Sequence, residues 1–333
     1  MKAWGVASAA VLALIPAVAL YWQGEFRNAS AASAVTPPAS VVVAPAPAPT
    51  QAPAPVPTQA PAPVPAQASV PTPAPVPTVI VSDWSKAAQL EAAVTRAMAD
   101  FPGQYSVVVQ DLNSGKRWAR GGDDRYHPAS TIKMPVSLYA LEQYRSGKVS
   151  WQDTITYTQV DFESPGGGAF ETAPFGGQYP VENLVNRALQ YSNNVAVNML
   201  GRYFGWENIR TWSRTINGEL YRTADGTPQV TALSELGWWL HLNKLSREDP
   251  KAAELLLNPL RNVAYDGRIP QGLPNGVSYL HKFGSYNGYY HDGGIVFASQ
   301  PYALIVLTRG GTEDQADTAI AGVSAAVYQV LGK

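Results

Sequence analysis

A proline-rich, uncharged segment separates the N-terminus of the chain from the rest and limits the part that can fold into a domain to the residues after it. No charged residue occurs at positions 28–82, and fifteen of the 28 prolines fall at positions 37–77. "APAPVPTQ" at 52–59 recurs as "APAPVPAQ" at 60–67. Alternating proline favours polyproline II, and such a segment has too few large side chains to build a core. We therefore predict a disordered linker over 31–82, with a reach of at most about 3.1 Å per residue.

The segment before the linker is apolar. Lys2 is followed by an apolar run from Trp4 to Trp22, interrupted only by small residues, a serine and a proline. This pattern is typical of a secretory signal or of an N-terminal membrane anchor, and its length fits either. Small residues at 29–34 could host cleavage. Residues 1–30 therefore predict export to the periplasm, cell envelope or medium, with membrane attachment if the segment is uncleaved.

The remaining 251 residues (83–333) are enough for one catalytic domain with its own core. The formal net charge of −1 gives no reason to expect a nucleic-acid partner. The absence of cysteine excludes disulfides and thiol catalysis. The four histidines have no metal-ligand spacing, so we expect neither a metal site nor a cofactor, and we expect a monomer.

Periodicity predicts a sheet that a helical block interrupts. A helix is expected at 85–99, strands near 105–110 and 116–120, and mostly helix from about 130 to 260. Strands return at 278–285, 290–297 and 302–308, the last a nearly continuous apolar run. Thr312 and Gln315 have the spacing of a capping box, and a closing helix follows with its apolar stripe at the positions listed here: Ala316, Ile320, Val323, Val327 and Val330. The two ends of the domain thus make one α/β sheet, the middle makes an all-helical lobe, and a cleft lies between them.

Three short motifs carry the chemistry of this domain. Ser130-Thr-Ile-Lys133, Ser192-Asn-Asn194 and Lys282-Phe-Gly284 read as Ser-x-x-Lys, Ser-x-Asn and Lys-x-Gly. A serine hydroxyl needs a base within hydrogen-bond reach to act as a nucleophile. If Ser130 opens a helix, Lys133 lies one turn on, on the same face. The free N–H groups at that helix start suit an oxyanion.

Each motif alone also has an ordinary structural interpretation. Ser-x-x-Lys could be a capping serine with a solvated lysine, Ser-x-Asn a polar turn between the helical stretches 181–190 and 195–204, and Lys-x-Gly a strand that ends in a glycine bulge. Their joint occurrence in this order is the pattern of a serine hydrolase that recognises penicillins.

The flanking sequence resembles class A β-lactamases and their penicillin-binding relatives from about Leu90 to the C-terminus. "VVVQDLNSGKRWA" at 107–119 is similar to their first hairpin, with its turn at Asn113-Ser-Gly115. "GGGAFE" at 166–171 resembles a Gly-rich stretch before Ser-x-Asn, and "DGRIPQGLPNG" and "HKFGSYNGYYHDGGIVF" resemble the approach to Lys-x-Gly and the strands around it. The resemblance implies a β-lactamase/transpeptidase-like fold of the α/β (α+β) class, in which an antiparallel sheet flanked by helices joins an all-helical lobe.

The resemblance also implies catalytic roles. Ser130 would be the nucleophile, and Lys133 its proton acceptor or part of the relay. Ser192 would pass a proton to the departing nitrogen. Lys282 would keep the local potential positive and bind the substrate carboxylate.

The same resemblance implies how substrate is held. Asn194 would hold the amide side chain of the substrate. The backbone N–H groups of Ser130 and Ser285 would form the oxyanion hole, and Gly284 would let the strand approach the acyl group closely. Phe283 stands where the family usually has a hydroxyl residue that touches the substrate carboxylate, so we expect an altered substrate fit.

A second departure concerns deacylation. Class A β-lactamases carry a Glu-x-x-Leu-Asn segment after Ser-x-Asn, whose glutamate activates the deacylating water, and nothing here matches it. The interval from Ser192 to Lys282 is 90 residues, shorter than in those enzymes. In the shortened region only Glu219 could substitute, and a solvent-exposed loop carboxylate is the interpretation that we favour for it.

These observations leave three hypotheses. The first is a penicillin-binding, D-alanyl-D-alanine-type peptidase that acylates on Ser130 and deacylates slowly, with a β-lactam or a peptidoglycan stem peptide as its partner. The second is a true β-lactamase that uses Glu219, Glu163 or Glu171. The third is a non-catalytic wall-binding module, which would not need an intact set of catalytic side chains.

Overall fold

The structure, a computed structural model, describes residues 79–81 and 84–332. The predicted signal or anchor (1–30) and all but the end of the predicted linker lie outside the described residues. Val79–Val81, at that end, form an edge strand that pairs with residues 118–120, so the sheet begins before position 83. In the part of the chain that the structure describes, no helix is both long and apolar enough to cross a membrane.

The central element is a six-stranded sheet in which neighbouring strands are antiparallel, in the order β1-β3-β2-β10-β9-β8. This confirms the predicted antiparallel sheet, and it leaves β8 as an edge strand. The strands of this sheet are β1 (Val79–Val81), β2 (Gln104–Asp111), β3 (Arg117–Arg120), β8 (Ser278–Tyr286), β9 (Tyr289–Phe297) and β10 (Tyr302–Arg309). Two small hairpins lie in the middle of the chain: β4 (Thr154–Thr156) with β5 (Gln178–Pro180), and β6 (Tyr221–Arg222) with β7 (Pro228–Gln229).

Helices cover the sheet and build the second lobe. Among the described residues the α-helices are α1 (Ala87–Ala97), α2 (Lys133–Arg145), α3 (Val181–Gln190), α4 (Asn194–Phe204), α5 (Trp206–Thr215), α6 (Ala232–Glu248), α7 (Pro250–Arg261) and α8 (Glu313–Leu331). Short 3₁₀ turns occur at Ala129–Ile132, Gln159–Asp161, Gly168–Glu171 and Pro270–Gly272.

The sheet is buried on both faces because its central strands are apolar at successive positions. Val107 and Val109 of β2 pack with α1 and α8, whereas Val108 between them belongs to the core shared with the helical lobe. Successive side chains of a strand point to opposite faces, so this division follows from the period of two. The same argument explains the continuous apolar run of β10, which is buried from Tyr302 to Thr308.

The closing helix begins as predicted. Thr312 and Gln315 form a capping box in which each side chain accepts a hydrogen bond from the other residue's backbone N–H. The apolar stripe differs at its end, where Leu331 is buried and Val330 is only partly buried. The 3.6-residue period places position 331, four residues after Val327, on the buried face.

Candidate active site

Ser130 lies in a 3₁₀ turn, Ala129–Ile132, directly before helix α2. The helix predicted to open at Ser130 therefore has a tighter first turn, and Lys133 is the first α-helical residue. Lys133 Nζ donates a hydrogen bond of 2.7 Å to Ser130 Oγ. Ala129 has a φ of +48°, a sterically costly conformation that the surrounding fold must hold in place.

Ser192 and Asn194 reach the same lysine from the helical lobe. Ser192, in the turn between α3 and α4, has a φ of +55°. Lys133 Nζ lies 3.3 Å from Ser192 Oγ and 2.6 Å from Asn194 Oδ1. Asn193, between them, caps α4 by accepting a hydrogen bond from the backbone N–H of Ala196 at 2.8 Å. The polar turn and the catalytic motif are thus the same structure, because the turn aims Ser192 and Asn194 at Lys133.

Lys282 approaches from the edge strand β8. Its Nζ donates to Ser192 Oγ at 3.1 Å and to the Phe283 carbonyl at 2.7 Å. The Phe283 ring centroid lies 4.0 Å from the same nitrogen, within cation–π range. Ser192 Oγ therefore lies between Lys133 and Lys282, and the four predicted catalytic side chains form one connected cluster in the cleft.

Gly284 is required by how closely β8 approaches the nucleophile. A Cβ at this position would lie 2.8 Å from the Ser130 nitrogen and 3.0 Å from the Thr131 nitrogen. The strand thus passes directly over the backbone at Ser130. The Ser285 side chain points to other partners: its Oγ lies 2.5 Å from Glu313 Oε1 and accepts from Arg268 at 2.8 Å. The role of the Ser285 N–H in an oxyanion hole stays a prediction.

Burial sets the charges of the two lysines. Loss of solvent lowers the pKa of Lys133 to about 7, although the Glu163 carboxylate opposes that shift. Burial and the nearby Lys133 lower the pKa of Lys282 well below its ordinary value. With a pKa of about 7, a substantial fraction of the Lys133 amines is neutral near pH 7 and can accept the Ser130 proton, which a permanently charged ammonium cannot do. The Ser192 hydroxyl can then carry a proton between the two amines.

Three buried ionisable residues support the site, and the sequence analysis did not single them out. Arg268 is fully buried and donates to the carbonyls of Gly284 and His291 and to the carboxylates listed here: Glu313 and Asp317. Asp292 accepts from the backbone N–H of Ile269 at 3.0 Å. Glu235 hydrogen-bonds Thr131, next to the nucleophile. A charged residue directly before apolar ones, such as Arg268 before Ile269 and Pro270, was the available signal, because such a residue must find partners if it is buried.

The three candidate glutamates lie in different settings. Glu219 is half-buried and pairs with Arg214 at 3.1 Å, and the surface role favoured for it stays a prediction. Glu171 accepts hydrogen bonds from the backbone N–H groups of residues 166–168 and from Ser164, and these bonds lower its pKa. Of these three glutamates, Glu163 contacts the predicted catalytic cluster, since its carboxylate accepts a hydrogen bond from Asn194 Nδ2 at 2.7 Å.

Glu235 should make stability fall as pH rises. Burial raises the pKa of Glu235 from 4.5 to about 8, so the folded protein holds a proton that the unfolded chain releases. The associated stability is complete below pH 4.5 and is lost as pH rises to about 8, by an amount on the order of 4 kcal/mol. Glu235→Gln should remove this slope in denaturant melts at pH 5 and pH 8. The exposed control Glu248→Gln should keep it; an unchanged slope in Glu235→Gln would show that other groups cause it.

In the described part of the chain, no group of three or more histidine, aspartate or glutamate side chains could hold a metal ion. The site contains a serine whose hydroxyl accepts a hydrogen bond from a buried lysine, a second serine, and a second lysine on an edge strand beside it. This arrangement defines the class of serine hydrolases that work through an acyl-enzyme.

Comparison with known proteins narrows the class to a family. Residues 89–331 match the Beta-lactamase enzyme family. Beta-lactamase SME-1 of Serratia marcescens is 26% identical over 262 residues, which cover 70% of this chain and 85% of that protein. A Rhodobacter capsulatus β-lactamase is 26% identical over 128 residues, or 38% of this chain and 43% of that protein. The chain belongs to the β-lactamase enzyme family, and it is a serine hydrolase that acts on amide bonds.

Solved structures show the same fold. A mutant of PBP-A, captured as an acyl-enzyme complex with penicillin G, superimposes with a TM-score of 0.67 at 21% identity, covering 73% of this chain and 95% of that chain. A β-lactamase from Sphaerobacter thermophilus has a TM-score of 0.65 at 21% identity, with coverage of 73% and 96%. The β-lactamase/transpeptidase-like fold predicted from the sequence is confirmed.

Proposed function

We propose that this protein is an extracytoplasmic penicillin-binding serine hydrolase of the DD-peptidase type, which forms a Ser130 acyl-enzyme with β-lactams or D-Ala-D-Ala peptides and releases it slowly. The observation that carries the proposal is the cluster around Lys133, whose amine lies 2.7 Å from Ser130 Oγ. Lys133 takes the Ser130 proton as the oxygen attacks the amide carbonyl. Ser192, 3.1 Å from Lys282, then gives its proton to the departing nitrogen and takes back a proton from the Lys133 ammonium, 3.3 Å away.

Slow release follows from how the segment after Ser-x-Asn is built. Residues 216–230 form only a turn and the small hairpin β6–β7, and the one glutamate there is paired with Arg214. Hydrolysis of an acyl-enzyme needs a water at the ester and a base within about 3 Å of that water. Because this segment places no glutamate at the ester, we expect the acyl-enzyme to be hydrolysed much more slowly than it forms.

Export and attachment belong to the same proposal. An apolar N-terminus followed by a long proline-rich linker suits an enzyme that is held away from a membrane while it reaches cell-wall peptides. We also propose that the protein acts as a monomer, because the proposed catalytic side chains all belong to one chain.

Glu163 favours a second candidate, a true β-lactamase with its base in a different loop. The loop before Ser-x-Asn brings this carboxylate to Asn194, which also hydrogen-bonds Lys133. If Glu163 accepts a proton from a water at the ester, deacylation becomes fast. The chain would then be a β-lactamase, as its relatives from Serratia marcescens and Rhodobacter capsulatus are named.

Release of label separates the two candidates. Full-length protein treated with a fluorescent penicillin should become labelled quickly and lose the label far more slowly. Glu219→Gln and Glu163→Gln should leave the release rate within about twofold, because neither carboxylate is assigned to the deacylating water. Rapid multiple turnover that disappears in Glu163→Gln would establish the β-lactamase instead. Loss of turnover in Glu219→Gln would mean that Glu219 is the base.

A further inference from the structure

The Glu163 carboxylate is bound to the amide that should hold the substrate. Its Oε1 accepts from Asn194 Nδ2 at 2.7 Å, and its Oε2 accepts from Asn198 Nδ2 at 3.0 Å. Asn194 therefore bridges the Lys133 amine and the Glu163 carboxylate, since its Oδ1 accepts from Lys133 at 2.6 Å while its Nδ2 donates to Glu163. Nothing in the three catalytic motifs requires a carboxylate at this place.

The loop that carries Glu163 is held in position by its own contacts. The Glu171 carboxylate accepts from the backbone N–H groups of residues 166–168 at 3.1 to 3.2 Å. Asn193 Nδ2 donates to the Gly167 carbonyl at 2.7 Å, and the Asn194 backbone N–H donates to the Gly166 carbonyl at 2.8 Å. Two hydrogen bonds thus join the loop directly to the Ser-x-Asn turn, and the position of Glu163 is set before any substrate arrives.

Hydrogen-bond geometry fixes how near a substrate comes to this carboxylate. The amide nitrogen of Asn194 has two protons, and Glu163 takes one of them. A substrate carbonyl that accepts the other lies about 2.9 Å from Nδ2, hence within about 6 Å of Glu163 Oε1. The carbon next to that carbonyl is the nearest part of the acyl side chain that can carry a charge.

The charge of Glu163 is not matched by a close cation. Among the residues that the structure describes, no basic side chain forms an ion pair with Glu163 within 4 Å, and its carboxylate is exposed. Lys133 lies at the opposite end of the Asn194 amide and is directed at Ser130. An ammonium group on the acyl side chain could therefore pair with Glu163, because no closer cation in the described part of the chain already neutralises this carboxylate.

We propose that Glu163 is a specificity-determining residue that favours acyl donors with a protonated amine on the carbon next to the amide carbonyl and disfavours donors with a carboxylate there. This inference rests on the proposed acylation of Ser130, because it concerns the acyl side chain bound at Asn194. If the charged group on that carbon turns toward Glu163 and comes to about 4 to 6 Å from its carboxylate, opposite charges near solvent give roughly a fivefold preference, and like charges a penalty of similar size.

Three penicillins that differ at this one carbon test the proposal. Ampicillin carries an ammonium group, benzylpenicillin is neutral there, and carbenicillin carries a carboxylate. Their second-order acylation rates would be measured on the full-length protein and on Glu163→Gln at pH 6, where an α-amine is protonated. Each antibiotic has its own reactivity, so the readout is how the rate ratios change between the two proteins.

We expect Glu163→Gln to lower the ampicillin-to-carbenicillin ratio by about tenfold or more, and Glu163→Asp to keep most of the preference. The wild-type ratio should also shrink as salt is raised toward about 1 M, since the carboxylate is exposed. Glu182→Gln is the matched control, because Glu182 accepts from the Gln152 side-chain amide at the same 2.7 Å and should leave the ratios unchanged.

Equal ratios in the wild type and Glu163→Gln would overturn the proposal while leaving acylation of Ser130 intact. A uniform fall in all three rates would also overturn it, because that pattern belongs to a residue that only positions Asn194. Failure of all three antibiotics to label the wild-type protein would instead reject the proposed function, and this inference with it.

Discussion

Replacing Ser130 with alanine should abolish covalent labelling by penicillin. Ser130 Oγ receives the Lys133 hydrogen bond at 2.7 Å, and alanine removes the only atom there that can form the ester. The expected result is complete loss of label, read by fluorescence after denaturation, with an unchanged melting temperature. Ser146→Ala, at the far end of helix α2, is the matched control and should label normally.

Label that survives in Ser130→Ala would locate the nucleophile elsewhere. Ser192 would then be the residue to replace next, since its hydroxyl lies within hydrogen-bond reach of both lysines. Such a result would contradict the assignment of the whole site.

Loss of Lys133 should have the next largest effect. Removing a positioned general base costs about 10²–10⁴ in rate, so Lys133→Ala should acylate at least a hundredfold more slowly. Lys133 is buried, and truncation leaves a cavity; Lys133→Met fills much of that volume without an amine and should show the same kinetic loss. A variant that acylates at the original rate would remove Lys133 from the mechanism.

The pH dependence of acylation tests the same role. Burial lowers the pKa of Lys133 to about 7, so the neutral amine that accepts a proton becomes dominant above that pH. The acylation rate should therefore rise with pH through about 7 and then level off, and this step should be absent from Lys133→Met. A rate that falls over this range would mean that the charged form is the active one.

The fold was predictable because its signals are local. Strands β8, β9 and β10 lie within one or two residues of their predicted limits, since each is a run of strand-forming residues between turns. Helix α8 begins at its capping box for the same reason. The short strand β1 was missed, because three residues at the end of a proline-rich stretch have no pattern of their own and depend on pairing with β3.

The catalytic cluster was predictable because its residues recur in fixed motifs, whereas its surroundings depend on tertiary contacts. No spacing rule joins Arg268 to Glu313, or Thr131 to Glu235, across 45 and 104 residues. For the same reason, the sequence did not decide which of Glu163, Glu171 and Glu219 could activate the deacylating water. Only the folded loop shows that Glu163 reaches Asn194 while Glu219 pairs with Arg214.

The most direct test of the proposed function follows the mass of the full-length protein after mixing with benzylpenicillin. We predict that the protein gains the mass of one whole penicillin molecule, that proteolysis places the addition on the peptide containing Ser130, and that the adduct remains long after free antibiotic is removed. A protein that keeps its original mass while the antibiotic is consumed would contradict slow release. One that neither gains mass nor consumes antibiotic would contradict acylation itself.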